Sequence, residues 1–354
     1  MTTNRFRIRK AENSYKLVST SLAGGKGLKK IQVALIAIAI VAIFIVMIIA
    51  AGLSPSSPVV TDSDRLASIP STATKMTPEQ DIFKPVLHSS DWTDPVPMPG
   101  KINTAGGEDS PFITPDGGWF FFFFTPDVKV PPEKQLTDGV TGIWWMKKTG
   151  GNWSSPEKIN LSKGVSLDGA EFVLGNQMWF ASIRAGNLKD IDYYTSDYSN
   201  GKWTNIKNVG EQLNVDYDIG EMHITADGST LYFHKGNMSA GSNMGIYYCK
   251  KTGSMWSSPV ECNINTDSME GYPFITADGN ELWFTGWSKL GYTGPALFRC
   301  LKTGTDLWGA PEEIMSNFAG ECTMDLKGNL YFVHHFYDSS INMIEADIYV
   351  AYHS

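Results

Sequence analysis

The sequence predicts an all-β fold, and three observations carry that expectation. A tryptophan that follows a short turn recurs at Trp92, Trp153, Trp203, Trp256 and Trp308, with separations of 61, 50, 53 and 52 residues. A Pro-Asp-Gly or Ala-Asp-Gly turn recurs after a short apolar stretch, in "PFITPDGGWFFF", "MHITADGSTLYF" and "PFITADGNELWF". Eleven Trp and 34 Gly accompany only 19% charged residues, the composition of short strands joined by tight turns around an ample core. A period near 50 residues is that of propeller blades, four strands each.

Each unit divides in the same way. The first strand is the "PFIT" stretch, and Asp-Gly supplies the positive-φ positions of the turn that follows. The second strand is an apolar run such as "ELWFTGW"; a run as extreme as "WFFFFF" (119–124) suits a strand covered on both faces. The third strand is "GIWWMKK", "DIDYYTS", "GIYYCKK", "ALFRCLK" or "DIYVAYH", and the fourth carries the tryptophan. Five units begin near residues 108, 168, 219, 270 and 319, and the last ends at Ser354 without a fourth strand. The unassigned fourth strand lies around Trp92. The expectation is a single five-bladed β-propeller over residues 85–354, closed by one strand from each terminus, so that no sheet edge is left open.

The N-terminal part is of another kind. Residues 1–30 carry eight Lys/Arg against one acid, Glu12, so the whole-chain charge of −8 leaves −15 for the remainder. So acidic a remainder excludes nucleic acid as a partner. Residues 31–53, "IQVALIAIAIVAIFIVMIIAAGL", hold no charge and at about 1.5 Å per residue can cross a ~30 Å hydrocarbon core. They are expected to be an uncleaved transmembrane anchor rather than a signal peptide, whose apolar region is shorter. The basic segment 1–30 places the N-terminus in the cytoplasm and the propeller outside the cell membrane. Residues 54–84, rich in Ser, Thr and Pro, read as a flexible linker.

The units "INTAGGEDSPFITPDGGWFFF", "LNVDYDIGEMHITADGSTLYF" and "INTDSMEGYPFITADGNELWF" resemble the WD40-like, TolB-type (PD40) propeller repeats of exported proteins. The resemblance covers all five units. It departs in unit two, where "GAEFVLGNQMWF" lacks Asp-Gly, and in unit five, where "LKGNLYF" has Lys327 in place of Asp. It implies fold and export, and specifies function weakly.

Strands alternate in direction, so all the long loops lie on one face and only tight turns on the other. The loops are 126–142, 183–190, 234–245, 285–295 and 334–347, and loops on a rigid scaffold are where binding residues usually sit. Aligning the first strands on Phe112, Phe172, His223, Phe274 and Thr323 puts a carboxylate two or four residues earlier in every unit: Glu108, Asp168, Glu221, Glu270 and Glu321. An even offset keeps side chains on one side of a regular strand, so the five are expected to converge at the channel mouth. Asp109, Glu171 and Asp218 add charge nearby.

Three readings of these acids stand open. They are hydrogen-bond staples between blades, or oxygen ligands around one axis that suit Ca²⁺, or the carboxylates of a glycoside hydrolase. His223 stands two residues from Glu221, and Trp287 and Tyr292 share one loop and could stack on a sugar ring. Only Arg184 and Arg299 lie in the propeller, too few for a sialidase arginine triad, and no nucleophile elbow, P-loop or zinc motif is present. Cys249, Cys262, Cys300 and Cys322 fall out of register for disulfides and read as small buried residues. The function expected is recognition of a cell-surface glycan or protein by an acidic, loop-bearing face; the alternative is a glycosidase-like enzyme.

Overall fold

The computed structural model describes residues 59–236 and 244–354. The basic segment and the apolar stretch 31–53 lie outside them, and no helix among the described residues is long and apolar enough to cross a membrane.

Every repeat of the sequence forms an antiparallel meander whose first strand is innermost. These inner strands are Gly107–Ile113, Ser166–Leu174, Met222–Ile224, Glu270–Ile275 and Ala319–Met324. The second repeat shows the pattern most plainly: Ser166–Leu174, Gln177–Arg184, Asp192–Ser199 and Lys202–Asn208 pair in sequence order. The inner strands gather around an axis. Ring centroids lie 6.3 Å apart for Phe112 and Phe172, 5.1 Å for Phe172 and His223, and 4.9 Å for His223 and Phe274. Meanders side by side about an axis are the arrangement of a β-propeller. The run Phe120–Phe122 is fully buried, as the wall of a sheet packed on both faces should be.

Turn chemistry explains the spacing of the repeats. In the "TPDG" and "TADG" turns the aspartate accepts the threonine hydroxyl and the backbone N–H two residues on, as Asp116, Asp227 and Asp278 do at 2.6–3.0 Å. Gly117, Gly228 and Gly279 stand at φ near +70°, which glycine takes without a Cβ penalty. Unit five moves the acid two positions back: Asp325 accepts the N–H groups of Lys327 and Asn329, so Lys327 is tolerated. Unit two makes a two-residue turn at Gly175, φ +63°.

Two segments before the first inner strand are built in. Val96–Pro97 pairs antiparallel with Tyr349 and Val350 of the last strand, and Trp92 bridges His353. Val86–Leu87 adds a further strand outside Glu312–Ser316. The segment expected to be a flexible linker is ordered from residue 59 onward. A helix, Asp62–Ser68, opens with a capping box in which Thr61 and Asp64 bond each other's backbone N–H. Beyond it, Lys75 pairs with Glu345 and Asp347, and Asp81 meets His334 at 2.8 Å. Contacts so buried, on the ends of the sheets that bear the long loops, make this stretch a strap rather than a tether. All four cysteines are buried and free.

Candidate functional site

The five aligned carboxylates do not converge; the structure sorts them into two groups. The cause is a β-bulge in the inner strand. Asp109 and Phe112 pair with Phe123 and Phe121, so three steps on one strand face two on the other, and the same shift recurs at Gly169/Phe172 and Gly271/Phe274. The extra residue takes a left-handed φ at Ser110 (+47°), Ala170 (+50°) and Tyr272 (+53°), and Glu321 stands at +43° beside the shift in unit five. A bulge breaks strict alternation, so an offset of four no longer shares a face with an offset of two.

The offset-four acids are held in the walls. Glu108 is fully buried and accepts the backbone N–H and hydroxyl of Thr104 at 2.9 and 2.6 Å, with Arg65 at 3.2 Å. Glu270 is bound the same way by Thr266, at 3.1 and 2.6 Å. Both belong to an Asn-Thr-x-x-x-Glu run, and the asparagines, Asn103 and Asn265, clamp both backbone groups of Ile348 and Ile246 in neighbouring strands. Asp168 accepts from Ser182 at 2.6 Å and pairs with Arg184 at 2.7 Å. Burial outweighs its partners at Glu108 and lifts that carboxyl to about 7.

The offset-two acids, Glu221 and Glu321, face the axis. With Ser110, Ala170, Glu171 and Tyr272 they line a vestibule of about 50 Å³. Asp109 stands beside them and shares a hydrogen bond with Glu321. Burial disfavours its charge, but the His335 imidazole at 3.4 Å, the Ser110 N–H and a hydrogen bond from Glu321 outweigh burial and hold it below the usual range. Burial, then the charge of Asp109, pushes Glu221 up to about 8. Glu321 is raised well above the carboxylate range by burial and then by Asp109 and Glu221, although Ser110 donates to it at 2.9 Å. Glu171 is 4% exposed and neither of its oxygens has a partner among the described residues; burial raises it well above its usual value. A vestibule of mutually repelling, desolvated acids holds protons near neutral pH. Among the described residues no group of three or more His, Cys, Asp or Glu is arranged to hold a metal ion.

His223 stands at the constriction below the vestibule, its Nδ1 accepting the N–H of Ile275 at 3.3 Å. Trp287 and Tyr292 lie elsewhere, exposed on the 285–295 loop. Asp218 pairs with Lys189 at the surface. Sequence reasoning missed Arg65, whose segment it read as a spacer; the Thr61-x-x-Asp64 capping box was the signal that a helix starts there.

No protein-family model matches the chain, nor does any curated relative. Among solved structures, the chain is similar to an endo-arabinase from Bacteroides thetaiotaomicron (15% identity, 68% of this chain and 92% of that one, TM-score 0.43). It is also similar to TolB from Acinetobacter baumannii (15% identity, 70% and 55%, TM-score 0.37). A protein of unknown function from Dyadobacter fermentans stands at 12% identity, 73% and 98% coverage and TM-score 0.42. Likenesses this distant bear on neither the site nor the activity.

Proposed function

We propose that the chain is a membrane-anchored, extracytoplasmic binding propeller of five blades, the last completed by residues 92–97, that recognises a glycan or protein on a cell surface. The observation that carries this reading is the 285–295 loop. Trp287, Leu290 and Tyr292 are 48%, 57% and 39% exposed there. The loop is braced beneath them, because Glu313 accepts the Ser288 hydroxyl at 2.6 Å and the N–H groups of Lys289 and Leu290 at 2.7 and 3.2 Å. Large apolar side chains kept in water on an ordered loop are a binding feature, and aromatic faces suit both sugars and protein surfaces. Hydrolysis of a glycoside is the weaker reading. The carboxylates that face the axis stand in about 50 Å³, far below the ~300–1,000 Å³ of small-molecule sites.

The test is a glycan array and a cell-surface capture with the full-length chain held in lipid nanodiscs, beside the variant W287A/Y292A. Binding that falls at least tenfold in the variant, with melting unchanged, is the expected result. Turnover of a bound glycoside would overturn the reading. Topology is tested separately: a tag at the N-terminus should resist protease added to intact cells while a C-terminal tag is removed.

A further inference from the structure

A second cavity opens on the other face, the one that carries the tight turns. It has a volume of about 540 Å³, within the range of small-molecule sites, and the repeats build it in tiers. Its floor is Phe112, His223 and Phe274, residues that also line the vestibule beyond. Its walls are the last apolar residues of the inner strands, among them Ile113, Ile224, Ile275 and Met324. Its rim is the turn residue that precedes each polar tip: Pro115, Gly175, Ala226, Ala277 and Leu326.

Two features distinguish this from a channel end plugged by its own side chains. Four of the five rim residues are small, which leaves the mouth open. The fifth, Leu326, is 72% exposed although apolar, and its N–H is tied to Pro115 O at 2.8 Å, so it is fixed at the mouth without being buried. Covering it would recover hydrophobic free energy that the protein alone leaves unused.

The polar groups at the cavity are few, which defines the ligand. Thr114 and Asp116 bond each other at the rim at 2.6 Å, and the Asp116 carboxylate repels anions. At the floor, His223 is neutral, because burial lowers it to about 3. Its Nδ1 accepts from Ile275, so Nε2 carries the hydrogen and has no partner among the described residues. We infer that this cavity binds a neutral, largely apolar small molecule that presents one hydrogen-bond acceptor to His223. The inference does not rest on the binding loop of the opposite face.

The test uses the full-length chain in lipid nanodiscs and three probes of one shape: 2-acetylnaphthalene, 2-ethylnaphthalene and 2-naphthoate. Binding is followed by saturation-transfer NMR and compared with the variant A277W, whose indole fills the mouth from an exposed position and controls for uptake by lipid. Wild type should bind the ketone at least fivefold more tightly than the hydrocarbon and reject the carboxylate, and A277W should lose the ketone signal above the lipid background. Equal ketone binding in wild type and A277W would overturn the site. Equal affinity for ketone and hydrocarbon would overturn the role of His223, and tight naphthoate binding would overturn the neutral class.

Discussion

Arg65 and Glu108 meet at 3.2 Å, 43 residues apart in sequence, with both side chains fully buried. The Arg65 guanidinium also donates to Ile102 O and Lys101 O at 2.9 and 2.7 Å. It lies 5.2–5.6 Å from the ring centroids of Phe122, Phe124 and Trp144. One side chain thus fastens the segment before the propeller to the second and third strands of the first repeat.

Removing that cation should therefore destabilise the sheets themselves. Arg65→Ala leaves two carbonyls without this donor and the buried Glu108 carboxyl without its cation, and breaking a buried pair costs about 3–5 kcal/mol. R65M/E108Q, which removes both charges and keeps the volume, should recover part of the loss. Thermal melting of the single and double variants measures the coupling, and R65A melting like wild type would show that the strap is not fastened there.

The Thr266–Glu270 staple gives a milder expectation. Glu270→Gln keeps an acceptor for Thr266 and should cost no more than about 1 kcal/mol, whereas Glu270→Ala removes the acceptor of two part-buried hydrogen bonds, at about 1–3 kcal/mol together. Both oxygens of Glu270 are engaged by Thr266, so added Ca²⁺ should leave wild type and E270Q melting alike. A calcium-dependent gain abolished by E270Q would make Glu270 a metal ligand instead.

What the sequence disclosed, and what it hid, follows from the range of each interaction. Trp92, Trp153, Trp203, Trp256 and Trp308 mark strands because their signal lies within one hairpin, and the Asp-Gly turns are local in the same way. The bulge was invisible because its left-handed positions hold Ser110, Ala170, Tyr272 and Glu321 rather than the Gly or Asn that advertise such a φ. Without it, parity arguments sent Glu108 and Glu270 to the same place as Glu221 and Glu321. The strap was misread because Ser, Thr and Pro describe a tether, while the partner that orders Arg65 stands in another strand. The cavity of the tight-turn face emerges only when five turns, four of them with an unremarkable small residue, are set around one axis.

Trp92 offers a direct test of the join between the two ends of the folded region. Its indole packs edge-on against Trp283 at 5.6 Å and His353 at 5.9 Å, and its Nε1 donates to Gly328 O at 2.8 Å. Trp92→Ala should cost about 3–5 kcal/mol, as buried Trp truncations do, and expose the edge of the Met343–Ala351 strand to aggregation. A W92A protein that melts and stays monomeric like wild type would mean that residues 92–97 do not complete the last sheet.

The vestibule acids predict an unusual dependence on pH. Burial is the chief cause that lifts Glu221 from the ordinary 4.5 to about 8 in the folded protein, and Glu108 to about 7. A raised carboxyl pKa contributes stability that is complete below the unfolded value and is lost as pH climbs through the folded one. Glu171 and Glu321 act in the same direction. His223 and His234 oppose them, because burial lowers them to about 3 and about 4 and their contribution is lost as pH falls below the ordinary histidine value. Above pH 6.5 the unfolded histidines shed their remaining protons within about one unit, so from there to pH 8 the raised acids outweigh them. Stability should fall across that interval by at most ~1.4 kcal/mol per pH unit for each titrating group, a few degrees in Tm. Glu221→Gln removes one titrating group and one repulsion with Asp109, so it should flatten the slope and match or exceed wild type at pH 8. Melting curves at half-unit steps decide the matter: a Tm that rises from pH 6.5 to 8, or a slope that E221Q leaves unchanged, would mean that these carboxyls are ionised and compensated in the folded protein.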